Sequence, residues 1–208
     1  MDEDRQKKWE MAFAARMRQI VPGLFLGNVE ASYNRDMLRQ NHIDAILSLT
    51  DARWVQCVDS STQDLLAHMD SICDFIDQMA SPALQTSRSL NTQQNHESND
   101  RPSDPEAILI HCDLGISRSP TIIIAYLMCK YRMTQEEAMT VVQSKQKVKP
   151  SASFLRQLQI WEVLEYQVWE DKNKTVPKAQ YQAFLNDRAA RLKKKGLTGN
   201  EPPAPLNL

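Results

Sequence analysis

One stretch of this chain leaves little choice of architecture. Ala107-Ile108-Leu109-Ile110-His111 is a short apolar run without the alternation of a half-exposed strand. After one small loop comes Ser119 to Tyr131, in which Ile122, Ile123, Ile124, Tyr126, Leu127 and Met128 leave almost no polar side to a helix. Apolar runs of this kind belong to central parallel strands, and a helix apolar nearly all round lies deep in a core. A strand that feeds a buried helix is the unit of an α/β fold.

The remaining pattern fits one such domain, a central, mostly parallel sheet flanked by helices. Residues 1–19 are charged and read as an N-terminal arm. Ile20 to Gly27 reads as two short strands around the Pro22-Gly23 turn. A short helix is expected over Ala31 to Gln40, a buried strand over Ala45 to Leu49, and a second strand over Trp54 to Val58. Leu65, Leu66, Met69, Ile72, Ile76 and Met79 recur at helical spacing within Asp64 to Met79. Residues 81–106, dominated by Ser, Thr, Gln, Asn and Pro, hold too little apolar surface to offset their ordering entropy and read as a disordered insertion. Thr134-Gln135-Glu136-Glu137 matches a capping box opening a helix that runs to about Lys147, and another is expected from Ser153 to about Glu170. The domain thus spans 20–172, and 173–208 is a polar tail with one amphipathic helix around Tyr181 to Lys195, read as solvated.

Bulk properties narrow the function. A formal net charge of −1 disfavours wholesale binding to nucleic acid or a membrane surface, and no apolar run approaches the roughly 20 residues that span a bilayer. The N-terminus lacks a signal-peptide core, so a cytoplasmic or nuclear location is expected. The four cysteines (Cys57, Cys73, Cys112 and Cys129) show no paired metal-ligand spacing, and no cofactor is expected. Cys73 and Cys129 fall in apolar helical patterns and read as core thiols.

Cys112 is different. His111-Cys112-Asp113-Leu114-Gly115-Ile116-Ser117-Arg118-Ser119 joins the apolar strand to the buried helix. A loop that ends a strand and opens a helix aims successive backbone N–H groups into one small space, which suits an anion. Gly115 permits the turn, and Pro120 fits the first helical turn, where its missing donor costs nothing. The amides, the helix dipole and Arg118 each favour a thiolate at Cys112. The planar guanidinium of Arg118, six positions on, can hold two phosphate oxygens at once.

This loop resembles the signature of the cysteine-dependent protein tyrosine phosphatase superfamily, and its Ser117-Arg118-Ser119-Pro120 ending resembles the dual-specificity protein phosphatases. Leu24-Phe25-Leu26-Gly27-Asn28 is similar to that family's opening segment, and Ile43 to Leu49 to its next strand. Val58-Asp59-Ser60 followed by Asp64-Leu65-Leu66 is similar to its general-acid loop. Ala125 to Met128 and Phe154 to Leu158 are similar to its later helices, so the likeness covers roughly Ile20 to Glu170. With no kinase-docking domain upstream and no cysteine after Cys129, the chain looks like an atypical, stand-alone member.

The resemblance implies a metal-independent phosphoprotein phosphatase. Cys112 would attack phosphorus and form a phosphocysteine, with Arg118 and the amides of Asp113, Leu114, Gly115, Ile116 and Ser117 holding the phosphate oxygens. Asp59 would be the general acid, with Asp64 close enough in sequence to compete. Ser119 would hydrogen-bond the thiolate, and His111 would orient the loop. Asp113, an acid inside the loop, leans toward phosphoproteins over highly anionic lipids.

One departure opens a second reading. Parallel neighbouring strands need a crossover of about a dozen residues, yet only Thr50-Asp51-Ala52-Arg53 separates Leu49 from Trp54. That link allows a hairpin or a bend. The chain is then either an active phosphatase or a weak or inactive relative that captures phosphoproteins. A rhodanese-like sulfur transferase, a third possibility, accounts less well for Asp59 and for the Arg118-Ser119-Pro120 ending.

Overall fold

A computed structural model describes residues 14–50, 53–54, 57–86 and 107–199. Among these residues five strands form one sheet: β1 (Met17–Val21), β2 (Leu24–Asn28), β3 (Ile43–Thr50), β4 (Arg53–Trp54) and β5 (Ala107–Cys112), in the spatial order β1-β2-β5-β3-β4. The inner three run parallel, and each outer strand is antiparallel to its neighbour.

Among the described residues seven helices surround the sheet: α1 (Val29–Tyr33), α2 (Arg35–Gln40), α3 (Leu66–Thr86), α4 (Arg118–Tyr131), α5 (Gln135–Lys145), α6 (Ala152–Val163) and α7 (Ala179–Lys195). None among the described residues is long and apolar enough to cross a membrane. Every residue of β5 is buried because both faces of the sheet are covered. Successive side chains of a strand alternate between faces. Ile108, Ile110 and Cys112 therefore join Leu24 and Leu26 in the large core under the later helices, while Ala107 and Leu109 join Met17, Phe25 and Ala31 on the other side. The same parity puts Cys112 beneath the start of α4, whose first eleven residues are buried.

Several boundaries differ from the sequence reading, each for a local reason. The expected helix over 31–40 is two, because Asn34 ends α1 and its side chain caps α2 by accepting from the Met37 amide. The helix expected to stop near Met79 runs to Thr86, into the segment read as a disordered insertion; propagating a formed helix costs far less than nucleating one. The rest of that insertion, 87–106, lies outside the described residues, as do most of the N-terminal arm and the far end of the C-terminal tail. The helix expected to reach Glu170 stops at Val163, where Glu165 and Tyr166 adopt left-handed backbone (φ 52° and 66°). The capping box at Thr134 is present with both of its hydrogen bonds.

Two findings bear on the site. The four-residue link is a hairpin: Leu49 pairs with Trp54 and Thr50 with Arg53, antiparallel. Of the strand expected over 54–58, Trp54 lies in β4 and Cys57 and Val58 lie in no strand, while Val55 and Gln56 lie outside the described residues. The second finding is α7. Its residues Tyr181, Phe184 and Leu192 are buried, at about 1.5–3 kcal/mol for each large apolar side chain. Tyr181 packs edge-on against Trp169, at 5.3 Å between centroids, and its hydroxyl donates to Asp64 Oδ2 at 2.8 Å. Burial and the adjacent Asp64 carboxylate push the Tyr181 phenol well up. A helix read as solvated is part of the core.

Candidate active site

The loop from Cys112 to Arg118 is shaped by where its carbonyls go. That of Asp113 accepts from the Val29 amide at 3.2 Å, and that of Leu114 from Arg16 Nη2 at 3.4 Å. Gly115 O takes Gln146 Nε2 at 2.9 Å, and Ile116 O takes the Lys149 amide at 2.8 Å. Ser117 O accepts from both the amide and the hydroxyl of Thr121. In a trans peptide the next N–H points opposite to the carbonyl, and no peptide here is cis. With these carbonyls bound to the surrounding protein, the amides of residues 114–118 turn toward the inside of the loop. That is the anion cradle the sequence implies.

The backbone allows this because Gly115 has a φ of 68° and lies against the end of β2. A Cβ there would stand 2.6 Å from Gly27 O. Asn28 secures the same corner, accepting from the Arg16 and Ala31 amides and donating to Ala14 O. On the opposite side the Ser151 amide donates to Ser117 Oγ at 3.2 Å.

Cys112 is 2% exposed, and its sulfur accepts from Ser119 Oγ at 3.2 Å. This bond stabilises a sulfur anion and fixes its direction. His111 reaches back to β3, where its Nε2 lies 2.6 Å from Ser48 Oγ, tying the strand end in place. The guanidinium of Arg118 is also buried. Its Nη1 donates to the carbonyls of Leu49 (3.2 Å) and Cys57 (2.9 Å), and its Nη2 to Asp113 Oδ2 at 2.5 Å. Burial alone would lower the Arg118 pKa, but the Asp113 carboxylate outweighs it and the value is raised, so the charge is secure.

The structure therefore gathers His111, Cys112, Arg118 and Ser119 around one loop and gives Asp113 a second part. Its carboxylate, half exposed, pairs with Nη2 of Arg118 and so competes with an incoming anion for that guanidinium. We expect Asp113→Asn to lower the dissociation constant for inorganic phosphate by about tenfold, the order of a lost charge-assisted bond, as measured by calorimetry. An unchanged constant would mean that the ion pair opens at no cost.

Asp59 is exposed in the turn that follows Cys57, and the contact from Arg118 to Cys57 O brings the start of that turn to the site. The turn is closed by Gln63 Oε1, which accepts from the Val58 amide at 3.0 Å. Asp64 is committed elsewhere: Oδ1 caps α3 through the Ala67 amide, and Oδ2 takes the Tyr181 hydroxyl. Sequence reasoning missed Gln157, which is fully buried on α6, accepts from the Leu65 amide at 2.7 Å and donates to Gln63 O at 2.9 Å. It also missed α7 as a support, where Arg188 Nε donates to Thr62 O at 2.7 Å and Lys195 Nζ to Ser61 Oγ at 3.3 Å. A glutamine within an otherwise apolar helical stripe was the available signal for the first.

Comparison with known proteins agrees with this geometry. Residues 24–163 match the family model described as dual specificity phosphatase, catalytic domain. The chain is 31% identical over 158 residues to dual specificity protein phosphatase 1B of Arabidopsis thaliana, covering 70% of this chain and 81% of that one. It is 30% identical over 156 residues to dual specificity protein phosphatase 26 of Bos taurus, covering 67% of this chain but only 64% of the relative. Among solved structures it is similar in fold to human DUSP28 (TM-score 0.57, 21% identity, 71% of this chain and 93% of that one). It is likewise similar to human tyrosine phosphatase-like serine/threonine/tyrosine-interacting protein (TM-score 0.55, 24% identity, 73% and 98%).

Proposed function

The chain belongs to the dual specificity phosphatase family, and from that membership we propose that it hydrolyses phosphotyrosine and phosphoserine or phosphothreonine in proteins through a phosphocysteine on Cys112. The observation that carries this reading is the bond from Ser119 Oγ to Cys112 Sγ, inside a loop whose carbonyls are held outward. The sulfur attacks phosphorus in line, forming the S–P bond as the bond to the leaving oxygen breaks. The inward amides stabilise charge on the equatorial oxygens, as does Arg118 once Asp113 has released it. Asp59 protonates the departing oxygen, then takes a proton from the water that displaces Cys112. Ser119 assists that second step by hydrogen-bonding the departing sulfur. His111, bound to Ser48, positions the loop and transfers no proton.

The test is hydrolysis, without metal, of aryl phosphates with good and poor leaving groups and of a phosphotyrosine peptide. Asp59→Asn is expected to lower kcat by roughly 10²–10⁴-fold on poor leaving groups and far less on good ones, which leave unprotonated. Asp64→Asn is expected to cost stability through its lost cap and Tyr181 contact, with no such leaving-group dependence. The reverse pattern would move the acid to Asp64.

A second reading has its own observation: the antiparallel hairpin at the sheet edge beside the acid turn. Under it the chain binds phosphoproteins and turns them over weakly. Aryl phosphate hydrolysis with almost no phosphopeptide hydrolysis would favour that reading, as would tight phosphopeptide binding without any turnover.

A further inference from the structure

A cleft of about 520 Å³ opens beside the catalytic loop. Two separate segments of the chain line it. From one come Arg16, just before β1, and Arg18 within it; from the other come Lys145, the last residue of α5, and Lys147 and Lys149 in the stretch that follows. Alternate residues of an extended chain share a face, so Lys147 and Lys149 project together while the intervening Val148 is buried, and Lys145 is exposed at the end of the helix beside them. No acidic side chain lines the cleft among the described residues, although the chain as a whole carries a net charge of −1. Five cations are thus concentrated in a concave space, where field lines focus and a polyanion gains most.

The cleft is joined to the active site. Its inner wall is formed by Leu114 and Ile116, the outward side chains of the catalytic loop, which are 54% and 37% exposed. Two of the cationic residues also hold that loop by polar contacts: Arg16 Nη2 to Leu114 O, and the Lys149 amide to Ile116 O. A chain whose phosphorylated residue entered the cradle would cross these two apolar side chains and arrive among the cations.

We propose that this cleft binds an acidic stretch of the substrate polypeptide flanking the phosphorylated residue, so that the protein selects phosphosites set in acidic sequence. The inference rests on the phosphoprotein reading above. The ligand chemistry is a run of carboxylates, or carboxylates with a second phosphate, on a peptide. A lipid headgroup fits less well, because the charged side chain next to Cys112 itself is the acid Asp113.

The test compares two fluorescent phosphopeptides that differ only in having acidic or neutral flanks, with Arg18→Ser/Lys145→Ser/Lys147→Ser as the variant. These three side chains make no hydrogen bond to the catalytic loop in the structure. For the unaltered protein we expect binding of the acidic peptide to be about tenfold tighter, and its kcat/KM higher by a similar factor, with the preference declining as salt is added. The triple variant should lose the preference and keep aryl phosphate turnover within about twofold. Equal binding of both peptides, or a preference that survives the triple variant, would overturn the proposal. So would tighter binding to vesicles containing a phosphoinositide than to the acidic peptide, lost in the triple variant, because it would assign the cleft to lipid. A doubly phosphorylated peptide in a third arm separates phosphate from carboxylate as the preferred anion, and either outcome supports the cleft. Because binding is read independently of turnover, a chain that fails to hydrolyse aryl phosphate would sink the catalytic reading and still leave this one decided.

Discussion

Cys112→Ser removes phosphatase turnover by at least about 10⁴-fold while leaving the fold and phosphate binding in place. The sulfur is the only nucleophile the loop presents to its own centre: Ser119, the other group there, spends its proton on that sulfur and sits at the buried base. A serine hydroxyl at the same position is a far weaker nucleophile and has no base within the loop to activate it. The substitution is nearly isosteric at a site that is 2% exposed, and the new oxygen can still accept from Ser119. Stability should therefore change by no more than about 1 kcal/mol. Activity on an aryl phosphate together with a thermal melt checks both halves. Residual turnover near that of the unaltered protein would place the chemistry elsewhere.

Gly115→Ala should be nearly as damaging by a different route. The position combines left-handed backbone with a Cβ site 2.6 Å from Gly27 O and 2.9 Å from Gly27 C. The obstructing atoms are backbone at the end of β2, where the chain pairs with β5 in register, so no side chain can swing away. Strain of about 1–3 kcal/mol and the overlap together would push the loop off β2, break the contact between Val29 N and Asp113 O, and turn inward amides out of line. We expect loss of at least about 100-fold in kcat/KM, since an ångström of misplacement is enough for that, with a lowered melting temperature. A variant with full activity would show that the loop tolerates a different path.

The cradle was legible in the sequence because its parts are local. An apolar strand, a nucleophile, a glycine, an arginine and a buried helix follow one another within twenty-five residues, and chain geometry alone brings them together. The sheet was legible for a related reason, since the runs at Leu24, Ala45 and Ala107 each announce a strand. The Ala45 run, expected to be buried, is buried only at Leu47 and Leu49 and leaves Ile46 exposed, because β3 lies nearer the sheet edge than β5. What the sequence hid were contacts across long separations. Nothing in Tyr181 or Arg188 identifies residues 61–64 as their partners, because an amphipathic stripe says that a face is covered and not by what. The pairing of Asp113 with Arg118 was hidden although they are five residues apart, because their meeting depends on side-chain direction within a loop of irregular backbone. The strand reading ran too far at Cys57 and Val58, because an apolar stretch reads the same whether or not it is paired in a sheet.

The contacts of α7 carry one more consequence. The family-matched region ends at residue 163, yet Tyr181, Arg188 and Lys195 reach back from beyond it to residues 61–64, just past Asp59. Under the proposed mechanism, the nucleophile Cys112 and the acid Asp59 therefore answer to different parts of the chain: the first is built by β5 and α4, and the turn carrying the second is braced from outside the family-matched region. If Asp59 is the acid we propose, loosening α7 is expected to leave attack on phosphorus intact and to slow the steps that need a proton delivered, most for the least acidic alcohols. On that mechanism such a brace is a throttle on substrate range, set by a helix that contacts the turn after Asp59.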